Sequence, residues 1–172
     1  MTVRVLGEHV DSRFASLVEE PENRSWIGRV DTFTRSERSE IMRRVRSTDT
    51  SPERAVRSLL HRLGYRFRLH RKDLPGTPDM VLPRHRVVVF VHGCFWHRHP
   101  GCARATTPSS NRAYWQRKFQ RTVARDRKVR KRLNALGWKV VVVWECQLKD
   151  MDRLERRIKR EIPLRPSAER RL

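Results

Sequence analysis

Between His92 and Cys102 the chain reads His-Gly-Cys-Phe-Trp-His-Arg-His-Pro-Gly-Cys. Thiols and imidazoles at this density are metal-ligand types. Cys94, His99 and Cys102, joined by Cys146 further along, make four soft or borderline donors suited to a closed tetrahedral zinc site. His97 offers the competing spacing Cys94-x2-His97, so spacing alone leaves the imidazole ligand open. An odd number of cysteines in a chain with no secretory signal pattern points to metal ligands or thiolates rather than a disulfide framework. Phe95 and Trp96 stand among these donors without apolar periodicity, which suggests stacking on bases more than core packing.

Carboxylates form the second chemical set. Asp79 follows Gly76-Thr77-Pro78 and opens a short strand, which projects its side chain at a sheet end. Glu53 lies in the first turn of a helix, and Asp126 falls on the apolar stripe of another. Hard oxygens gathered at a sheet end are what magnesium needs to bridge a phosphodiester. A carboxylate on an apolar stripe is costly unless paired or liganded, and Arg125 and Arg127 read as pointing away from that stripe. Simpler readings stand beside these: Glu53 favoured by the helix dipole, and Asp126 in a structural salt bridge. A phosphodiesterase also needs a base to activate water. His92 and His97 flank Cys94-Phe95-Trp96, but the residues alone also fit ligands or packed polar groups. Trp115, at the start of a basic helix, could stack on bases or belong to the core.

The elements that must position these groups follow from periodicity and punctuation. Residues 34–46 suggest a basic helix with Ile41, Met42 and Val45 on one side. Ser51 reads as an N-cap with Pro52 at the first helical position, and Val56, Leu59, Leu60 and Leu63 follow at helical spacing until Gly64. Strands are expected at Tyr65–Leu69 and Asp79–Leu82. Val87–Val91 is an unbroken apolar run, as in a strand buried on both faces, and it leads directly into the His92–Cys102 segment. A long basic helix from Asn111 or Arg112 carries Trp115, Phe119, Val123, Val129, Leu133 and Leu136 on one face, ending at Gly137. A strand at Trp138–Glu145 and a helix at Met151–Ile162 complete the order. It implies an α/β fold, a mixed sheet flanked by helices.

The chain has 172 residues, enough for one domain with a modest core. The expected organisation is a slightly acidic, partly mobile N-terminal extension at 1–33, a catalytic body at 34–162 and a loose tail at 163–172. Lys and Arg number 40 against 19 acids, a net charge of +21 that implies a polyanionic partner, first of all nucleic acid. No apolar run approaches the ~18 residues needed to span a bilayer, so no membrane partner is expected. The expected location is the cytoplasm, on the nucleoid when bound to DNA.

Gly76-Thr77-Pro78-Asp79, Phe90-Val91-His92-Gly93-Cys94-Phe95-Trp96-His97, and Gly137-Trp138 through Val143-Trp144-Glu145-Cys146 resemble the very short patch repair endonucleases, as do Ser47-Thr48-Asp49-Thr50 and Arg125-Asp126-Arg127. The resemblance spans roughly 35–149. It implies a restriction-endonuclease-like fold (PD-(D/E)XK type) with a structural zinc, nicking one strand of double-stranded DNA beside a T·G mismatch left by 5-methylcytosine deamination. By resemblance Asp79 and the Val91 carbonyl hold magnesium, His97 is the general base, and His92 assists at the phosphate. Glu53 would orient His97, and Asp126 would support the site. Cys94, His99, Cys102 and Cys146 would hold the zinc, while Phe95, Trp96 and Trp115 would enter the duplex. The usual Glu-x-Lys is missing from Val87–Val91, so a histidine base and a backbone carbonyl take over its work. Pro100-Gly101 lengthens the metal loop relative to familiar members, and Val91 stands where a threonine is common. A monomer with possible repair partners is expected. The alternatives are a related nickase with another mismatch range or a host-defence role, and a zinc-stabilised DNA-binding module without catalysis.

Overall fold

The computed structural model describes residues 48–164 together with Glu37 and Glu40. The extension at 1–33 lies outside the described residues, as do most of the expected helix at 34–46, of which Glu37 and Glu40 are helical, and the tail beyond Leu164. The described body falls within one unit, Phe33–Leu172.

A four-stranded sheet carries the body, in the order β1 (Arg68–Leu69), β2 (Met80–Leu82), β3 (Val87–His92) and β4 (Lys139–Trp144). The first three strands are antiparallel neighbours, and β3 pairs with β4 in parallel, Val91 opposite Val143 and His92 opposite Trp144. A parallel pair needs a crossover. It is supplied by the metal-type loop and the long helix α2 (Arg112–Ala135), which follows α1 (Ser51–Arg62) in the chain and precedes α3 (Met151–Glu161).

Alternation along the strands divides the core in two. Met80, Leu82, Val87, Val89, Val141 and Val143 face α1 and α3 through Val56, Leu59, Leu60, Leu154 and Ile158. Val81 and Val88 face the other way, toward Leu133 of α2 and toward Leu74 and Trp138. The β3 run is therefore apolar on consecutive residues because both faces are covered. Each buried Val or Leu contributes roughly 1.5–3 kcal/mol, so this small core holds an otherwise strongly charged chain.

Several boundaries differ from the sequence expectation. The N-cap of α1 is Thr50, not Ser51. Thr50 Oγ1 donates to Glu53 Oε1 at 2.9 Å and accepts from the Glu53 N–H, a side-chain cap one residue earlier than Ser51. The first strand shrinks to Arg68–Leu69 because Tyr65 is buried and donates its hydroxyl to the Ile162 carbonyl across the core. Leu136 does not join the apolar face of α2; it is 52% exposed, past the last turn, where Gly137 at φ +74° redirects the chain. Among the described residues no helix is long and apolar enough to cross a membrane.

Candidate active site and thiol cluster

The C-terminal end of β3 opens into a cleft of about 520 Å³ whose lining includes Glu53, His70, Asp79, Val91, His92, His97 and Asp126. Four elements converge there. The start of α1 brings Glu53, the turn before β2 brings Asp79, the end of β3 brings Val91 and His92, and the middle of α2 brings Asp126. Gly76 makes this convergence possible. At φ +75° it adopts a left-handed conformation, and a Cβ there would lie 2.5 Å from a methyl of Val129 on α2.

Asp79 accepts the Val91 N–H at 2.7 Å through Oδ2. Burial pushes its carboxyl up to about 6, with the Glu53 charge adding to the rise and the Val91 N–H opposing it. Its other oxygen has no hydrogen bond among the described residues. A half-satisfied carboxylate at the mouth of a cleft fits magnesium, which is held through one or two carboxylates while keeping several waters.

His97 Nδ1 lies 2.6 Å from Asp126 Oδ2. Asp126 accepts, so Nδ1 carries the proton and the Nε2 lone pair is left for chemistry. Burial works against the Asp126 charge, but the bond to His97 and nearby positive groups outweigh it and hold its carboxyl below the ordinary range. His92 stacks on His97 with ring centroids 3.8 Å apart. Burial, reinforced by His97, holds the His92 imidazole down at about 3, so the ring is neutral.

Two expectations change here. Asp126, not Glu53, is the carboxylate bonded to His97. Glu53 lines the same cleft but is taken up by other partners, accepting from the Asp49 N–H, the Thr50 hydroxyl and Arg57. Arg125 does not point away from Asp126 either; its Nη2 lies 3.4 Å from Asp126 Oδ1, because the long side chain curls back along the helix. His70 and Arg57 were not singled out from the sequence. A lone histidine after a two-residue strand and one arginine among many carry no periodic signal.

Beyond the cleft, Cys94, His99, Cys102 and Cys146 place one donor atom each within 4.8 Å of one another. His99 Nδ1 is 3.3 Å from the Cys146 sulfur and 3.8 Å from that of Cys94. A tetrahedron built on zinc–sulfur and zinc–nitrogen bonds has N···S edges of roughly 3.5 Å, so the donor set fits zinc. His99 is the imidazole that joins the thiols, whereas His97 is engaged by Asp126. The His99 ring stacks on Trp144 at 4.2 Å. Burial pushes the Cys94 thiol up to about 12.

The aromatic residues form one cluster between this loop and the start of α2. Phe95 packs edge-on against Trp96, Trp115 and Phe119 at centroid distances of 4.9, 5.4 and 5.2 Å. Phe119 is buried, while Phe95, Trp96 and Trp115 are half-exposed. Lys118 Nζ lies 5.0 Å from the Trp96 ring, and Arg117, Lys118, Arg121 and Arg125 continue as a basic face along α2 toward the cleft.

Residues 30–104 match the family model described as DNA mismatch endonuclease Vsr. A type II nicking enzyme of Xanthomonas oryzae pv. oryzae, V.XorIIP, is 54% identical over 129 residues, covering 75% of this chain and 94% of the relative. The type II nicking enzyme V.NmeAIP of Neisseria meningitidis is 42% identical over 136 residues, covering 75% of this chain and 96% of its own length. The DNA mismatch endonuclease Vsr of Escherichia coli K12 is 40% identical over 124 residues, 72% of this chain and 79% of the relative. With a cleft that joins a half-buried aspartate to a histidine–aspartate pair, and with relatives this similar over most of their length, the chain belongs to the Vsr family of DNA endonucleases.

Proposed function

We propose that this protein is a magnesium-dependent, zinc-stapled nicking endonuclease of restriction-endonuclease-like fold that cuts one strand of double-stranded DNA beside a T·G mismatch. The observation that carries this reading is the His97–Asp126 pair, with His97 Nε2 free, lining the same cleft as Asp79. His97 Nε2 takes a proton from water as the water oxygen bonds to phosphorus. The bond from phosphorus to the 3′ oxygen breaks, and that oxygen takes a proton from a solvent water, leaving a 3′-hydroxyl and a 5′-phosphate. Asp126 holds the His97 ring and balances the imidazolium that forms. His92, neutral and stacked on His97, offers a ring N–H to the phosphate. Asp79 and the Val91 carbonyl would hold magnesium, which when bound would supply positive charge against the phosphate oxygens. Cys94, His99, Cys102 and Cys146 would hold zinc, which when bound would fix the loop that carries Phe95, Trp96 and His97. Phe95, Trp96 and Trp115 present aromatic surface for insertion beside the mismatch, where a weakly paired step is the least costly to open.

A second reading keeps the chemistry and changes the target: a nickase serving other mismatches, including those tied to a host-defence methylation system. It is favoured by the type II nicking enzymes among the relatives. A nicking assay across all mismatches, in sequence contexts around methylatable cytosines, separates the two. Cutting confined to the thymine strand of T·G supports the first reading; equal cutting of several mismatches supports the second. Absence of nicking on every mismatched duplex would leave only a zinc-stabilised DNA-binding module.

A further inference from the structure

His92 ends β3 and Trp144 ends β4, and the parallel register sets them directly opposite each other. Side chains alternate along a strand, so both project to the sheet face on which Phe90 and Val140 pack against the Leu133 side of the core. A cavity there includes His92, His97, Asp126 and Trp144 in its lining. The indole of Trp144 meets two imidazoles with different duties. The His99 ring lies flat against it, centroids 4.2 Å apart and planes 16° from parallel. The His92 ring meets it edge-on, at 5.3 Å and 76°. His92 in turn lies flat on His97, at 3.8 Å and 13°. His99, Trp144, His92 and His97 thus form an unbroken run of rings from the thiol cluster to the cleft.

How each ring is fixed differs along that run. His99 sits with Nδ1 against the Cys94 and Cys146 sulfurs, and His97 is held at Nδ1 by Asp126. His92 has no side-chain hydrogen bond among the described residues; its ring contacts are to Phe90, His97 and Trp144. The outer torsion of an imidazole is broad, so a histidine without a hydrogen bond keeps its orientation through packing alone. Trp144 is itself anchored. Its backbone N–H donates to Gln147 Oε1 at 3.0 Å, and Arg157 Nη1 donates to the same oxygen at 2.7 Å. Arg157 Nη2 also donates to the Val142 carbonyl at 3.0 Å, which ties the end of β4 to α3.

We infer that Trp144 is a positioning residue of the cleft, whose indole locks His92 against the His99 ring of the thiol cluster and so keeps the His92–His97 stack in place. This rests on the reading of His92 and His97 as the histidines that act on the phosphate. Trp144 acts through His92, so it governs the rate of cutting and not the hold on DNA. Phe95, Trp96 and Trp115 form a separate cluster with no ring contact to Trp144 among the described residues, so a change at Trp144 leaves their surface intact. A misplacement of about 1 Å at a reacting group costs on the order of 10²-fold in rate, so a His92 ring free to swing is enough to slow the reaction. The thiol cluster thereby serves the chemistry as well as its own loop, since His99 is the wall that the indole rests on.

The test compares Trp144→Leu, which removes the ring, with Trp144→Phe, which keeps one, in the full-length, zinc-loaded protein with magnesium added. On a T·G-mismatched duplex, Trp144→Leu should slow single-turnover nicking by about 10²-fold, with DNA affinity and zinc content unchanged. Trp144→Phe should recover most of that loss. Proton NMR of the histidine rings adds a readout that a merely structural role would not move. Nuclear Overhauser contacts between the His92 and His97 rings should be strong in the wild-type protein and in Trp144→Phe, and weak in Trp144→Leu. His99→Cys keeps a full set of metal donors but removes the ring beneath Trp144. It should slow nicking in the same range, and adding Trp144→Leu to it should cost little more. An unchanged rate in a folded, zinc-replete Trp144→Leu would overturn the inference, as would equal losses in the Leu and Phe variants. An unchanged rate in zinc-replete His99→Cys would do the same, a result readable even where Trp144→Leu fails to fold. His97→Asn tests the reading beneath: nicking that survives it overturns that reading and the inference together. Nicking lost in His97→Asn but kept in Trp144→Leu overturns the inference alone.

Discussion

At the scale of single residues, the cleft trades stability for chemistry. Asp79 is half-buried with one oxygen unsatisfied among the described residues, and its carboxyl is raised from the ordinary 3.8 to about 6. A raised folded-state value means that the folded protein holds this proton more tightly than the unfolded chain. The associated stability is fully present below about pH 3.8 and is lost as pH rises through about 6. Asp79→Asn removes that loss. Without magnesium it should be more stable than the parent at pH 7.5, by at most about 3 kcal/mol, and the gain should fade toward pH 4. Urea unfolding at the two pH values measures it. The same variant should bind mismatched DNA yet lose nicking. Asp126 acts in the opposite sense, since its charge is favoured and it holds His97 by Nδ1. Asp126→Asn should slow single-turnover nicking by about 10²–10⁴-fold with little change in DNA affinity, and an unchanged rate would remove His97 as the base it orients.

Individual elements set how accurately these residues meet. The turn from Leu74 to Pro78 must pass against α2 for Asp79 to reach the cleft, and Gly76 allows it through both its positive φ and its missing Cβ. Gly76→Ala should destabilise by roughly 1–3 kcal/mol through overpacking against Val129 and by further backbone strain. A thermal melt reads the stability, and nicking should fall further than the melt predicts, because Asp79 and Asp126 flank the displaced contact. The cap that Thr50 and Glu53 form at the start of α1 shows how one residue serves two levels. Glu53 was legible in the sequence as a first-turn acid, and the helix start was legible within one position. That its carboxylate faces Arg57 and His70 was not, since those partners lie one helical turn and a whole strand away.

For the whole molecule, the two sheet faces explain how so basic a chain folds at all. The apolar runs at Val87–Val91 and Val140–Val143 were plain from composition, and both are covered from two sides. Phe95, Trp96 and His97 depend on a loop with little regular structure, whose ends are tied by the thiol cluster. Stripping metal with a strong chelator should therefore lower the unfolding midpoint sharply and abolish nicking together, since a structural zinc contributes directly to folding. Circular dichroism with added-back zinc checks this; a chelated protein that melts unchanged would show the cluster to be dispensable.

The sequence by itself determined the donor types, the strand and helix order, the excess of positive charge and the family motifs, because each is a local or compositional property. Tertiary structure decided the partnerships. It joined His99 and not His97 to the thiols, turned Asp126 toward His97, and set Arg57 between Glu53 and His70. Spacing cannot report these choices, because they depend on side chains from separate elements meeting at the end of one strand, where a single close approach at Gly76 determines which groups come within bonding distance.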